Sequence, residues 1–138
     1  MKIKETLMNQ SFSVSASDPY MFSLSVMEDL SKSVKIMEKK NLYETDGPHN
    51  RSVVVFDAVE LIDEFSKIIF RFELTGEDGV LRANINGLLN LHIDETGFFS
   101  QVFTDHYVKT VFPLLRKLSE SRIEFFSGCI ERLFGVHE

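Results

Sequence analysis

The 138-residue chain contains one cysteine, Cys129, which excludes an internal disulfide and a metal site built from several cysteines. It has no tryptophan and only 3 tyrosines, yet it has 13 phenylalanines. Because phenylalanine carries no polar group, these rings are expected in a core or in the wall of an apolar cavity. No apolar run reaches the roughly 18 residues of a membrane span, and the N-terminus lacks a signal-peptide pattern. The expected location is cytoplasmic.

Catalytic and nucleic-acid signatures are also missing. The chain contains no GxSxG, P-loop, dinucleotide-binding glycine pattern or HExxH, so no catalytic residue and no cofactor are predicted. The formal net charge of −6 argues against a nucleic-acid partner, which would require clustered Lys and Arg. The one small basic cluster, Lys35, Lys39 and Lys40, is interrupted by Glu38 and is interpreted as solvated surface.

The clearest pattern is the alternation from Val80 to Asp94, VLRANINGLLNLHID. Apolar residues occupy the odd positions and mostly polar residues the even ones, which predicts a long strand, or two joined at Gly87, with one buried face. Composition and alternation predict further strands at Ser11–Ala16, Val34–Glu44, Ser52–Ile62, Lys67–Leu74 and Phe98–Val108. A short helix is predicted from about Pro19 to Glu28, followed by a second helical turn or a loop up to Ser33.

From about Thr110 the apolar period changes to that of a helix. One stripe has apolar residues three or four apart, with Arg122 as its one charged member: Val111, Leu115, Leu118, Arg122, Phe125, Cys129 and Leu133. Phe126 and Ile130 widen this stripe. Pro113 suits the first turn of this helix, and Gly135 suits its C-terminal cap. A long amphipathic helix is therefore predicted to cover the sheet.

This order of elements resembles the START-like superfamily, the helix-grip fold. SFSVSASDPYMFSLSVME resembles its opening strand and short helix, the hairpins from Ser52 to Val108 resemble its curved sheet, and Phe112 to Phe134 resembles its terminal helix. The resemblance implies an α+β domain over residues 1–138, with a curved antiparallel sheet of about six or seven strands around the helix and a short helical pair after the first strand. It also implies an apolar cavity, since members bind lipids, sterols, polyketides or plant hormones, and some are enzymes or co-chaperones.

The predicted ligand-binding residues follow from placing a cavity between sheet and helix. On the sheet they are Phe70, Phe72, Leu81, Ile85, Leu89 and Leu91, and on the helix Leu115, Leu118, Phe125 and Cys129. Arg122 either binds the carboxylate or phosphate of a ligand or extends to solvent at the edge of the stripe. Asp57 and Glu60 lie on opposite faces of one predicted strand, so one acid points inward and is able to pair structurally with Arg122.

The predicted function is binding of a hydrophobic or amphipathic small molecule, lipid-like or polyketide-like, in that cavity. One alternative is a protein-interaction or co-chaperone-like module without ligand, with which a homodimer through a sheet edge or the helix is compatible. The other is a cyclase- or hydratase-like enzyme using Asp105, His106 or Arg122. His92 and Asp94 share a strand face but lack a third ligand, so no metal site is predicted.

Overall fold

The computed structural model describes residues 2–93 and 98–135. Their secondary structure comprises β1 (Lys2–Ser15), α1 (Pro19–Ser31), β2 (Lys35–Asp46), β3 (His49–Leu61), β4 (Ser66–Glu77), β5 (Val80–His92), α2 (Phe98–His106), a π-helical turn (Tyr107–Val111) and α3 (Phe112–Phe134). The α+β class, the antiparallel sheet and the C-terminal helix are confirmed. Within the described ranges, no helix has both the length and the apolar character needed to span a membrane.

The five strands form one antiparallel sheet in the order β1-β5-β4-β3-β2, so that the first strand pairs with the last. The alternation of β4 and β5 puts one face of the sheet inward, and that face forms most of the hydrophobic core. β1 begins at Lys2, well before the predicted Ser11. A bulge between Thr6 and Met8 interrupts its alternation, which explains why the sequence pattern did not indicate a strand there.

Helix α1 begins as predicted. Asp18 is its N-cap and accepts a hydrogen bond from the Met21 backbone N–H, and Pro19 follows in the first turn. The helix continues without a break to Ser31, so the predicted helical pair is in fact one helix. Val26 and Leu30 are buried, and α1 covers the inward face over β2, β3 and β4.

The predicted last strand, Phe98–Val108, is wrong. That segment is helical, and it runs through the π-helical turn into α3. Pro113 lies in the first turn of α3, as predicted, but the π-helical turn continues directly into that helix. Because proline lacks an N–H and collides with the carbonyl four residues earlier, the helix widens just before it, and the Phe112 N–H bonds to the Tyr107 carbonyl.

The strand count follows from this change. Loss of the sixth strand, and continuity of β5 through Gly87, leave five strands in place of six or seven. Residues 94–97, which include Asp94 at the end of the predicted strand, lie outside the described residues.

Candidate functional site

The predicted ligand-binding residues of the sheet all belong to the inward face, where they are completely packed. Phe70 is 1% exposed to solvent, and the other five are 0% exposed: Phe72, Leu81, Ile85, Leu89 and Leu91. Phe72 stacks on Phe56 with ring centroids 4.7 Å apart. No water-sized space therefore adjoins these side chains, and a ligand reaches them only if neighbouring groups move away.

The helix lies over this face in a different rotation from the one predicted. Ile130, at the margin of the predicted stripe, and Phe134, outside it, are both buried. Phe134 packs edge-on against Phe12 of β1, with ring centroids 5.0 Å apart. Leu118, from the predicted stripe, is 49% exposed on the flank of α3. The side chains of the other three predicted helix residues lie outside the described part of the structure: Leu115, Phe125 and Cys129.

α3 approaches the sheet closely at Gly87, in the middle of β5. A Cβ atom built there would lie 2.8 Å from Met8 Cγ, 3.2 Å from Phe70 Cε1 and 3.3 Å from Ile123 Cδ1. The missing side chain is what lets Ile123 descend onto the sheet. Ile123 thus connects the middle of α3 to the centre of the core.

Two ion pairs flank α3 along a single row of the sheet. Cross-strand pairing aligns Glu5, Leu89, Ile68 and Glu60, so both acids share the inward side of the two buried residues between them. Arg116 binds Glu5 on one flank of the helix. On the other flank, Arg122 Nε lies 3.0 Å from Glu60 Oε1.

The arginine side chains are 53% and 50% exposed, so each pair is a half-solvated contact at the margin of the core. The alternative in which an inward acid pairs structurally with Arg122 is therefore observed, with Glu60 as that acid. Asp57 points to the other face, where it is buried and binds Arg71 through two hydrogen bonds of 2.8 and 3.0 Å. A buried carboxylate is costly unless a cation is paired with it, and Arg71 is that cation. The hydrogen bond to Asp57 and the charge of Asp57 raise the pKa of Arg71.

Open space between sheet and helix lies at the β1 side of α3. This groove, called the edge groove below, has a volume of about 270 Å³ and is lined by Glu5, Thr6, Leu7, Arg116, Glu120 and Ile123. Leu7 is the extra residue of the β1 bulge, and its side chain packs against the core from the sheet edge. Because Ile123 also reaches Gly87, the apolar floor of the groove leads toward the middle of the sheet.

A polar cluster ties the π-helical turn to the loop between β3 and β4. The Tyr107 hydroxyl donates to Asp63 Oδ2 at 2.6 Å, while Asp63 Oδ1 accepts from the Phe65 and Ser66 N–H groups and the Ser66 hydroxyl. Burial raises the pKa of Tyr107 to about 12, and its hydrogen bond to the carboxylate acts in the same direction. Burial alone would raise the pKa of Asp63, but the hydrogen bonds it accepts lower it. These hydrogen bonds fix the π-helical turn to the loop between β3 and β4, and we call the cluster a structural anchor.

The residues of the enzyme alternative do not converge. Asp105 and His106 are both exposed on α2, so the question of which one a strand turns inward no longer arises. His92 is exposed at the end of β5. Within residues 2–93 and 98–135, no three His, Cys, Asp or Glu side chains are grouped closely enough to hold a metal ion.

The edge groove was not predicted, because its residues are far apart in the chain and the register of β1 brings them together. The spacing of Ile123, Ile130 and Phe134 (seven and four residues) was the available signal for the face of α3 that contacts the sheet. A comparison with protein-family models found no family that matches the chain, and no curated protein is significantly similar to it.

Proposed function

We propose that this protein binds a hydrophobic or amphipathic small molecule between the inward face of the sheet and α3, and that the ligand enters through the edge groove. The groove itself supports this proposal best, since it is an opening between β1 and α3 whose floor is formed by Leu7 and Ile123. Its volume of about 270 Å³ is close to the lower limit of roughly 300 Å³ for small-molecule pockets.

A larger ligand requires α3 to separate from the sheet, because the inward residues are packed without space. The contacts that resist separation at the helix flanks are the two half-exposed ion pairs, each worth roughly 0–1 kcal/mol. Burying about 300 Å² of an apolar ligand at about 25 cal/mol per Å² contributes roughly 7 kcal/mol before the loss of ligand freedom is subtracted. A free energy of about 7 kcal/mol corresponds to a dissociation constant of roughly 10 µM, so the net affinity after these costs is expected to be weaker than micromolar.

The test is native mass spectrometry of protein purified without detergent, followed by organic extraction of any bound compound. Leu7→Trp places a large ring in the edge groove and is expected to abolish uptake of a retained compound or of a fluorescent apolar dye. Leu118→Trp is the matched control, because Leu118 is half exposed and lies about 200° around the helix from Glu120 in the groove. Equal uptake by the wild type and by folded Leu7→Trp protein would refute entry through the edge groove.

The exposed edge strand favours a second candidate function, binding of an extended segment of another protein. β2 ends the sheet, so its outer N–H and C=O groups have no strand partner among the described residues. Met37, Leu42 and Tyr43 are 42–48% exposed along it. Such an edge accepts an added strand. Asn41→Pro would remove one edge N–H, and it should weaken a complex of this kind in size-exclusion chromatography with light scattering while leaving dye uptake unchanged.

A further inference from the structure

We infer that the edge groove prefers amphiphiles with a positively charged head group over those with a negative one; this inference rests on the proposed function. Three ionisable side chains surround the apolar floor of the groove: Glu5, Arg116 and Glu120. Two carboxylates and one guanidinium leave the rim with an excess of one negative charge. The chain as a whole carries a formal net charge of −6, which adds a long-range field of the same sign.

The pairing within the rim determines which ligand charge is accommodated. Arg116 is engaged by Glu5 across the seam between β1 and α3. Glu120 follows Arg116 by one helical turn, is exposed, and takes part in no ion pair within the described residues. It is therefore the carboxylate that remains for a ligand.

An anionic head group would have to displace Glu5 from Arg116 while facing Glu120. A cationic head group requires no existing contact to break. With its tail on Leu7 and Ile123, an alkylammonium ligand would place its nitrogen at the rim beside Glu120. Arg122 does not alter this preference, because it lies on the opposite flank of α3 and is engaged by Glu60.

The test compares dodecylamine, dodecanoate and dodecanol, which share one chain length and differ in head-group charge. Dissociation constants are measured by calorimetry below the aggregation concentration of each compound. For the wild type we expect dodecylamine to bind at least about threefold more tightly than dodecanoate, as for one solvent-exposed charge contact, with the difference shrinking in high salt.

Glu120→Gln should remove the preference and leave dodecanol binding unchanged. Glu28→Gln, which alters another exposed acid, on α1 and outside the groove, is the matched control and should retain the preference. Equal binding of the two charged ligands by the wild type, or an intact preference in Glu120→Gln, would overturn the head-group inference while dodecanol binding still supported the proposed function. If none of the three compounds bound, both the inference and the proposed function would be wrong.

Discussion

Replacing Tyr107 by Phe tests the polar cluster that ties the π-helical turn to the loop between β3 and β4. The substitution removes one hydroxyl, which donates a 2.6 Å hydrogen bond to Asp63, and leaves the buried ring in place. A hydrogen bond to a charged acceptor contributes about 1.5–3 kcal/mol. Since one kcal/mol shifts the melting temperature of a domain this size by roughly 3–4 °C, the expected loss is about 5–12 °C.

The pH dependence gives this prediction a second, independent measurement. The folded-state pKa of Tyr107 is raised to about 12, above the value of about 10 for an unfolded chain. A raised folded-state pKa contributes stability that is fully present below about pH 10 and is lost as the pH rises through about 12. The wild type should therefore lose stability between these values more steeply than Tyr107→Phe does. Difference absorbance of the two proteins at alkaline pH isolates the ionisation of Tyr107 from that of Tyr20 and Tyr43.

Acid pH tests the other partner of the hydrogen bond. The lowered pKa of Asp63 contributes stability that is present above the unfolded-state value of about 3.9 and is lost as the pH falls through the folded-state value. Without the Tyr107 hydroxyl, the pKa of Asp63 should rise, so that the acid-side loss begins at higher pH. An ionisation midpoint of Tyr107 near 10, or a melting temperature within a degree or two of the wild type, would refute the anchor described here.

Two further predictions concern packing and charge. Gly87→Val should lower the free energy of unfolding by about 1–3 kcal/mol, because the valine side chain collides with Met8, Phe70 and Ile123. Gly128→Ala, whose Cβ has no atom within 4 Å, should raise the free energy of unfolding by up to about 1 kcal/mol through helix propensity. Chemical denaturation measures both changes, and equal effects would contradict the close approach of α3 to Gly87. Arg71→Met should lower the free energy of unfolding by about 1–3 kcal/mol, because it leaves the buried Asp57 carboxylate unpaired. Lys67→Met on the same strand is the control, and a smaller loss of stability in Arg71→Met than in Lys67→Met would contradict that pairing.

Period-two alternation predicted the hairpins well because one face of β4 and β5 is fully buried. The same rule failed at Phe98–Val108, because the spacing of the aromatic residues there fits both a strand and a helix. Phe99, Phe103 and Tyr107 recur every four residues, a spacing that places them on one side of a strand and also on one side of a helix. Aromatic residues then favoured the strand. The helix forms all the same, and Tyr107 is fixed by Asp63, a partner 44 residues away that no local pattern reveals.

The rotation of α3 about its own axis was the second feature that the sequence could not determine. The stripe containing Leu118 and Arg122 is apolar enough to be taken for the buried face. In the structure, however, Ile123 and Phe134, which lie outside that stripe, join Ile130 at its margin in packing against the core. What selects between these faces is the sheet beneath. Gly87 provides a place for Ile123, and Glu5 and Glu60 stand at the ends of one row, where they engage Arg116 and Arg122.

This arrangement bears directly on how a ligand would enter. The inward side of α3 carries the apolar contacts of Ile123, Ile130 and Phe134, whereas its flanks carry two solvated ion pairs. The helix is therefore held most weakly at its flanks, because exposed ion pairs contribute little and are screened by salt. The β1 flank is the one where a bulge also interrupts the strand at Leu7, so the sheet edge there is irregular as well as charged. Opening the seam on that side exposes Ile123 and then the centre of the inward face. For the ligand that we propose, entry at the edge groove would break one solvated ion pair beside an irregular strand edge before the apolar chain reached Ile123.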